Sequence, residues 1–266
     1  MTKLTLFISC LFFFSGATSL AYEIMWIKIF GLQLGHTAWA VTTVVSSFMA
    51  GLGLGSLIAG EIASSVKRPL RFYGFLELGI TVIGLLSFPL FHALDSFMSP
   101  IYHHLGSLKV AYSLVRLTIT FLLLLLPTTL MGATLPILVS GFSKHASFQK
   151  RVSHFYGVNT LGAACGTILT GFLLLPNIGL HGSIFLVLAV NLGVGLAAWY
   201  VGGRIPPQTA TSGIDMSAIA SLFRGPVPKG VLILLVVSTL AGCMGMASQI
   251  GWTRLLTPLL GSSTYA

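Results

Sequence analysis

Residues 14–40 read FSGATSLAYEIMWIKIFGLQLGHTAWA, and residues 240–266 read LAGCMGMASQIGWTRLLTPLLGSSTYA. Aligned without a gap, Gly16 falls on Gly242, a shift of 242 − 16 = 226. Trp26 then falls on Trp252, Lys28 on Arg254, Gly35 on Gly261, Thr37 on Ser263, Trp39 on Tyr265 and Ala40 on Ala266. Glu23 falls on Gln249, which keeps the shape and loses the charge. So long a gap-free set of like-for-like matches marks a duplicated structural unit. The nature of that unit decides the fold.

Composition supplies the solvent. Charged residues are 7% of the chain, against about 25% for a soluble domain, and the mean hydropathy is +0.95. Such a chain has too few polar groups to cover its own surface, so its solvent is lipid. The net charge of +9 does not indicate nucleic acid as a partner, because the bases are scattered between apolar runs and form no basic stripe. Cys10, Cys165 and Cys243 lie inside apolar runs with no CxxC and no His at ligand spacing. They read as small packing residues, with no metal site and no cofactor. Lys3 followed by an apolar run resembles a signal peptide, but the same pattern recurs internally from Val231, so both copies are expected to be spanning helices.

A spanning helix needs roughly 20 apolar residues. Runs of this kind cover about 4–22, 37–60, 72–94, 109–141, 155–176 and 182–201, and a seventh covers about 230–248. The fourth is too long for one straight span, and Pro127 and Pro136 inside it predict a kink or an early exit. Bases alternate between the two sides. Lys3, then Lys67, Arg68 and Arg71, then Lys144, Lys150 and Arg151, then Arg204, Arg224 and Lys229 fall on one side. The other side holds only Lys28 with Glu23, and Asp95 with Lys109. Short basic loops stay in the cytoplasm, so the N-terminus is expected there, in a bacterial inner membrane.

The expected organisation is all-α, a polytopic membrane helix bundle. A first six-helix unit covers 1–201. A cytoplasmic linker covers 202–229, with a short interfacial helix from Met216 to Phe223, and the start of a second unit covers 230–266. Six crossings before the linker make the repeat parallel, as in major facilitator halves. Ala266 corresponds to Ala40, where the next helix has only begun, so the chain reads as a fragment with a truncated second half.

Several segments together resemble one family: SGATSLAYEIMWIKIFGLQLG (15–35), FMAGLGLGSLIAG (48–60), RPLRFYGFLELGI (68–80), LLPTTLMGATLPIL (125–138) and FYGVNTLGAACGTILTGFLLLPNIGL (155–180). They are similar to the membrane domain of the bacterial fused major-facilitator-like/spermidine synthase proteins. The resemblance implies a cytoplasmic domain of polyamine aminopropyltransferase type, C-terminal to this segment, as a partner. This chain has no soluble βαβ stretch, no Gly-rich loop between strand and helix and no paired acids on a soluble segment. It therefore offers no position for that domain's catalytic residues. The second loop carries Glu61, Ser64 and Ser65 and then bases, a partial match to the facilitator loop pattern.

Ionisable groups within spans are the site candidates, since each costs a few kcal/mol to place there. Glu77 is expected to lie about six residues into the third helix, with Asn159 and Thr160 at similar depth on the fifth. It either receives a cation or proton, or locks two helices through Asn159 or Tyr156. Glu23 and Arg116 are expected on the opposite side, as an ion pair or as an outer gate or cation site, with Lys28 the rival partner for Glu23. Trp26, Trp39, Trp252 and Tyr265 read as an interfacial belt. His36, His103 and His104 read as loop residues. Gly31/Gly35, Gly51/Gly55, Ser56/Gly60 and Gly162/Gly166 have the spacing that lets helices approach closely. Two functions remain open. One is an anchor or channel for a polyamine-metabolising domain. The other is an alternating-access transporter of a small cation such as a polyamine.

Overall fold

A computed structural model describes residues 3–34, 38–105, 108–141, 148–208 and 229–260. In lipid every backbone N–H and C=O must be satisfied within its own segment, and the described residues accordingly form helices and no strand. The elements are α1 (Lys3–Leu34), α2 (Ala38–Ile62), a 3-10 turn (Ala63–Ser65), α3 (Pro69–Leu105), α4 (Lys109–Ser140), α5 (Phe148–Leu169), a π turn (Thr170–Leu174), α6 (Leu175–Arg204) and α7 (Lys229–Leu260). Six stretches are long and apolar enough to cross a membrane.

The longest of these stretches, Gln149–Arg204, has 56 residues. At 1.5 Å per residue a straight helix of that length would run about 84 Å, far beyond a hydrocarbon core of about 30 Å. The break falls at Gly179, with φ 68° and ψ −176°, a conformation a side chain would resist. It divides the run where the sequence predicts a loop between the fifth and sixth spans. Pro127 and Pro136 both lie inside one continuous helix, α4. Thr128 Oγ1 and Thr129 Oγ1 donate to Leu124 and Leu125 carbonyls beside the first proline, at 2.7 and 2.6 Å. Hydroxyls of this kind help membrane helices tolerate proline.

Three helix pairs make the bundle: α2 with α4, α1 with α5, and α3 with α6. Their registers fix direction. A Cβ on Gly162 would meet Phe13 and one on Gly166 would meet Ala17, so α1 and α5 are parallel. Gly51 opposes Thr128 and Gly55 opposes Thr129 and Ala133, so α2 and α4 are parallel. Gly202 opposes Arg71 and Gly195 opposes Leu78, so α3 and α6 are antiparallel. Apolar contact between helices gains little when the surrounding solvent is itself apolar, so close backbone approach through small residues holds these pairs. The expected Gly51/Gly55 and Gly162/Gly166 pairs serve in this way. Ser56 and Gly60 are exposed, with open space beyond Gly60, and Gly35 lies outside the described residues.

The packing of the first six helices has an internal symmetry. Exchanging α1, α2 and α3 for α4, α5 and α6 turns the α2–α4 pair into α5–α1 and leaves α3–α6 unchanged. The sequence follows the same exchange. Residues 15–18 (SGAT) match 131–134 (MGAT), 51–60 (GLGLGSLIAG) match 162–171 (GAACGTILTG), and 77–80 (ELGI) match 191–194 (NLGV). Thr18 and Thr134 each donate to the carbonyl three residues earlier, Ser15 and Met131, at 3.0 and 2.7 Å.

Two apolar clusters fill the bundle. One includes Tyr22, Met25, Trp26, Phe30, Phe48 and Phe91. The other includes Ile8, Phe12, Tyr73, Ile137 and Phe155. Trp26 is therefore not interfacial. It is buried and stacks on Tyr22 with ring centroids 5.6 Å apart. Its repeat counterpart Trp252 is exposed, as is Trp39. Cys10 and Cys243 are free and exposed on apolar helix faces rather than packed inside, and Cys165 is half-buried. Helix α7 touches the bundle chiefly through α2 and is exposed along most of its length. Residues 209–228, including the Met216–Phe223 segment, lie outside the described residues, as do His36 and Tyr265. No side-chain placement is described for His103 and His104.

Candidate functional site

Glu77 sits in the middle of the bundle, on α3 where it faces α1 and α6, and is 1% exposed. Its Oε1 accepts from Ser15 Oγ of α1 at 2.5 Å, within the range of a charge-assisted bond. Its backbone carbonyl accepts from Asn191 Nδ2 of α6 and from Thr81 Oγ1, both at 2.9 Å. Asn191 Nδ2 also reaches Thr81 Oγ1 at 2.9 Å, and Asn191 Oδ1 accepts from Thr18 Oγ1 at 2.9 Å. Tyr73, fully buried one turn earlier on α3, lies beside the same carboxylate. The result is a closed polar network across α1, α3 and α6. It holds an acid, hydroxyls, an amide and a phenol. Among the described residues it holds no cation.

This network corrects the expected neighbourhood. Asn159 does not bond Glu77. It is half-buried on α5, and its Nδ2 donates to the Phe12 carbonyl at 3.1 Å, tying α5 to α1. Thr160 is exposed and returns its hydroxyl to the Tyr156 carbonyl of its own helix at 2.9 Å. Tyr156 is exposed as well. The partners that sequence reasoning missed are Ser15, Thr18, Tyr73 and Asn191. Asn191 carried a usable signal, since an amide within the run LVLAVNLGVG is expensive in lipid without a partner. It also occupies the position equivalent to Glu77 under the three-helix exchange, so the two matched residues meet each other.

Glu23 is equally buried, at 2% exposure, and its chemistry is the opposite. Neither Oε1 nor Oε2 accepts a hydrogen bond among the described residues. The side chain facing the carboxylate is Gln249 of α7, the residue that the 226-residue repeat equates with Glu23. Extending the α1–α5 register from Ala17 opposite Gly166 places Glu23 level with the π turn, where the helix widens. Such turns recur at functional positions. Arg116 is half-buried on α4. Among the described residues no group of three His, Cys, Asp or Glu side chains is placed to hold a metal ion.

The fold and these buried acids define a class: an α-helical bundle built for a bilayer, with polar groups enclosed between its helices. Comparison with known proteins adds one relative. The chain is 25% identical over 186 residues to a protein named polyamine aminopropyltransferase from Leptospira interrogans serogroup Icterohaemorrhagiae serovar copenhageni (strain Fiocruz L1-130). The match covers 70% of this chain and 34% of that protein, so it spans about a third of the relative's length. No protein-family profile and no solved structure matches the chain.

Proposed function

We propose that this chain is the membrane portion of a fused major-facilitator-like/spermidine synthase-type protein. In that role it anchors, or provides a channel for, a cytoplasmic aminopropyltransferase-like domain in a bacterial inner membrane, with the N-terminus in the cytoplasm. One observation carries the reading. A relative named for aminopropyl transfer matches 70% of a chain whose described residues are almost all membrane-type helix. That relative's similarity therefore lies in a membrane bundle and not in a soluble catalytic fold. The exchange symmetry of α1–α3 with α4–α6 supports the facilitator-like part, because facilitator halves carry nested three-helix inverted repeats.

A second reading has its own support. Glu77 is a buried acid bonded to Ser15, and Glu23 is a buried acid facing the neutral Gln249. Groups of this kind mark proton or cation pathways in membrane proteins. The reading is an alternating-access carrier of a small cation such as a polyamine, with Glu77 and Glu23 in its path, Arg116 beside the outer site and Asn159 and Thr160 on the flanking helix.

The test uses the complete gene product in proteoliposomes, with labelled spermidine and with aminopropyl transfer assayed in the same preparation. Aminopropyl transfer without spermidine flux supports the anchor. Flux that Glu77→Gln abolishes, in protein that still inserts and elutes as a single species, supports the carrier. Neither activity in correctly inserted protein overturns both.

A further inference from the structure

At one end of the α3–α6 pair three guanidinium groups gather around Gly202 and Gly203. A Cβ on Gly202 would collide with the Arg71 backbone, so glycine at this position lets the two helix ends meet. Arg68 Nη1 donates to the Gly203 carbonyl at 2.9 Å. The Arg71 guanidinium lies 5.1 Å from the Trp199 ring centroid. Arg204 stacks 4.0 Å from the Tyr200 ring centroid and donates to its hydroxyl. Lys67 is exposed on the adjoining turn.

None of these bases meets an acid among the described residues. Glu77 is six residues further along α3 and is bonded to Ser15. Glu23 is buried against α7. Asp95 is 24 residues from Arg71 along α3, about 36 Å at 1.5 Å per residue. The helix ends do not compensate either. The partial negative charge at the end of α6 is offset by the partial positive charge at the start of α3, each about half a unit. Glu61, at the end of α2 six residues before Lys67, is the acid nearest the cluster in sequence, and the cluster's three guanidinium groups and Lys67 outnumber it. Two donors within it, Arg71 Nε and Trp199 Nε1, have no acceptor.

We propose that this cluster binds the phosphate of an anionic lipid headgroup. Arg guanidinium is the side chain suited to phosphate oxygens, and basic pockets at helix ends hold lipid headgroups. The adjacent surface argues for a lipid over a free phosphate. Phe75, Leu196 and Tyr200 are exposed within about a turn of the cluster, at 54%, 48% and 54%, and Phe75 packs edge-on against Trp199 at 6.5 Å. An acyl chain lying along these residues continues directly from a phosphate held between Arg71 and Arg204. A modest rotation of Arg71 opens the stack so that a phosphate oxygen reaches the two orphan donors.

Trp199 serves as its own reporter. In a background with Trp26, Trp39 and Trp252 replaced by Phe, the protein is placed in nanodiscs, and acyl-brominated phosphatidylglycerol or phosphatidylcholine is titrated in. We expect Trp199 to be quenched preferentially by phosphatidylglycerol. The Arg71→Gln/Arg204→Gln double variant loses that preference by roughly 30-fold, at about one interfacial base's worth of attraction each. Arg71→Lys/Arg204→Lys, which keeps the charge, retains most of it. Equal quenching by both lipids, or a preference unchanged in the Gln variant, overturns the site. Loss of the preference on adding millimolar inorganic phosphate would keep the phosphate chemistry and overturn the lipid as its source.

Discussion

Glu77 and Glu23 are buried to nearly the same degree, at 1% and 2% exposure, in one bundle of a chain with five acids in all. One is enclosed by Ser15, Asn191, Thr81 and Tyr73. The other accepts nothing and faces Gln249 of α7. Burial therefore does not define the role of an acid in this protein. What differs is the origin of its neighbours. Those of Glu77 come from helices α1, α3 and α6, which glycine contacts lock into the bundle. The one facing Glu23 comes from α7, which packs loosely on that bundle. A satisfied network resists change, whereas an unsatisfied carboxylate at a loosely packed contact is sensitive to whatever arrives there or moves away.

The most damaging substitution removes the frame that both acids share. Gly166→Leu drives a side chain into the Ala17 backbone and should destabilise the α1–α5 pair by about 3 kcal/mol or more. The readout is loss of a monodisperse species in detergent. Stable, monodisperse protein would show that the close crossing is dispensable. Glu77→Ala comes next. It strands the Ser15 hydroxyl and leaves a cavity in the interior, and about 3 kcal/mol of stability should be lost in denaturant titrations of the micellar protein. Ser15→Ala removes one bond to the acid and should cost about 1 kcal/mol, toward the upper end for bonds between membrane helices. An effect as large as that of Glu77→Ala would mean that Ser15 alone holds the network. Glu23→Gln should have the smallest effect, ranging from none to about 1 kcal/mol of stabilisation, because it deletes a buried charge and leaves an amide that still suits the neutral Gln249 facing it. A loss above 1 kcal/mol would reveal a donor for Glu23 and erase the contrast between the two acids.

Much of this fold was legible from residues alone. The long apolar runs located the spans, and Gly51/Gly55 and Gly162/Gly166 located two of the three tight crossings. Gly179 lies in the interval left between the fifth and sixth spans. The site was legible only in part. Glu77 was singled out correctly as a buried acid, but its partners were sought on the fifth helix at matching depth. They lie on the first and sixth, where Asn191 is 114 residues away in sequence. Trp26 reads from the sequence as part of an interfacial belt, by its place near the end of the first apolar run. Its neighbours in space are Tyr22 and the core.

The sequence by itself determined the solvent and the class of element. These are properties of single segments: a run too apolar for water must be in lipid, and in lipid it must be a helix. Only the tertiary structure decided which helix face meets which. In water an apolar stripe marks the face a helix buries. Here the helices are apolar all round, because lipid does not penalise an exposed leucine. Facing is then set by close glycine contacts and by a few hydrogen bonds between helices. Such contacts belong to pairs of residues, so Glu77 acquires its partners and Glu23 is left without any only once the helices have packed.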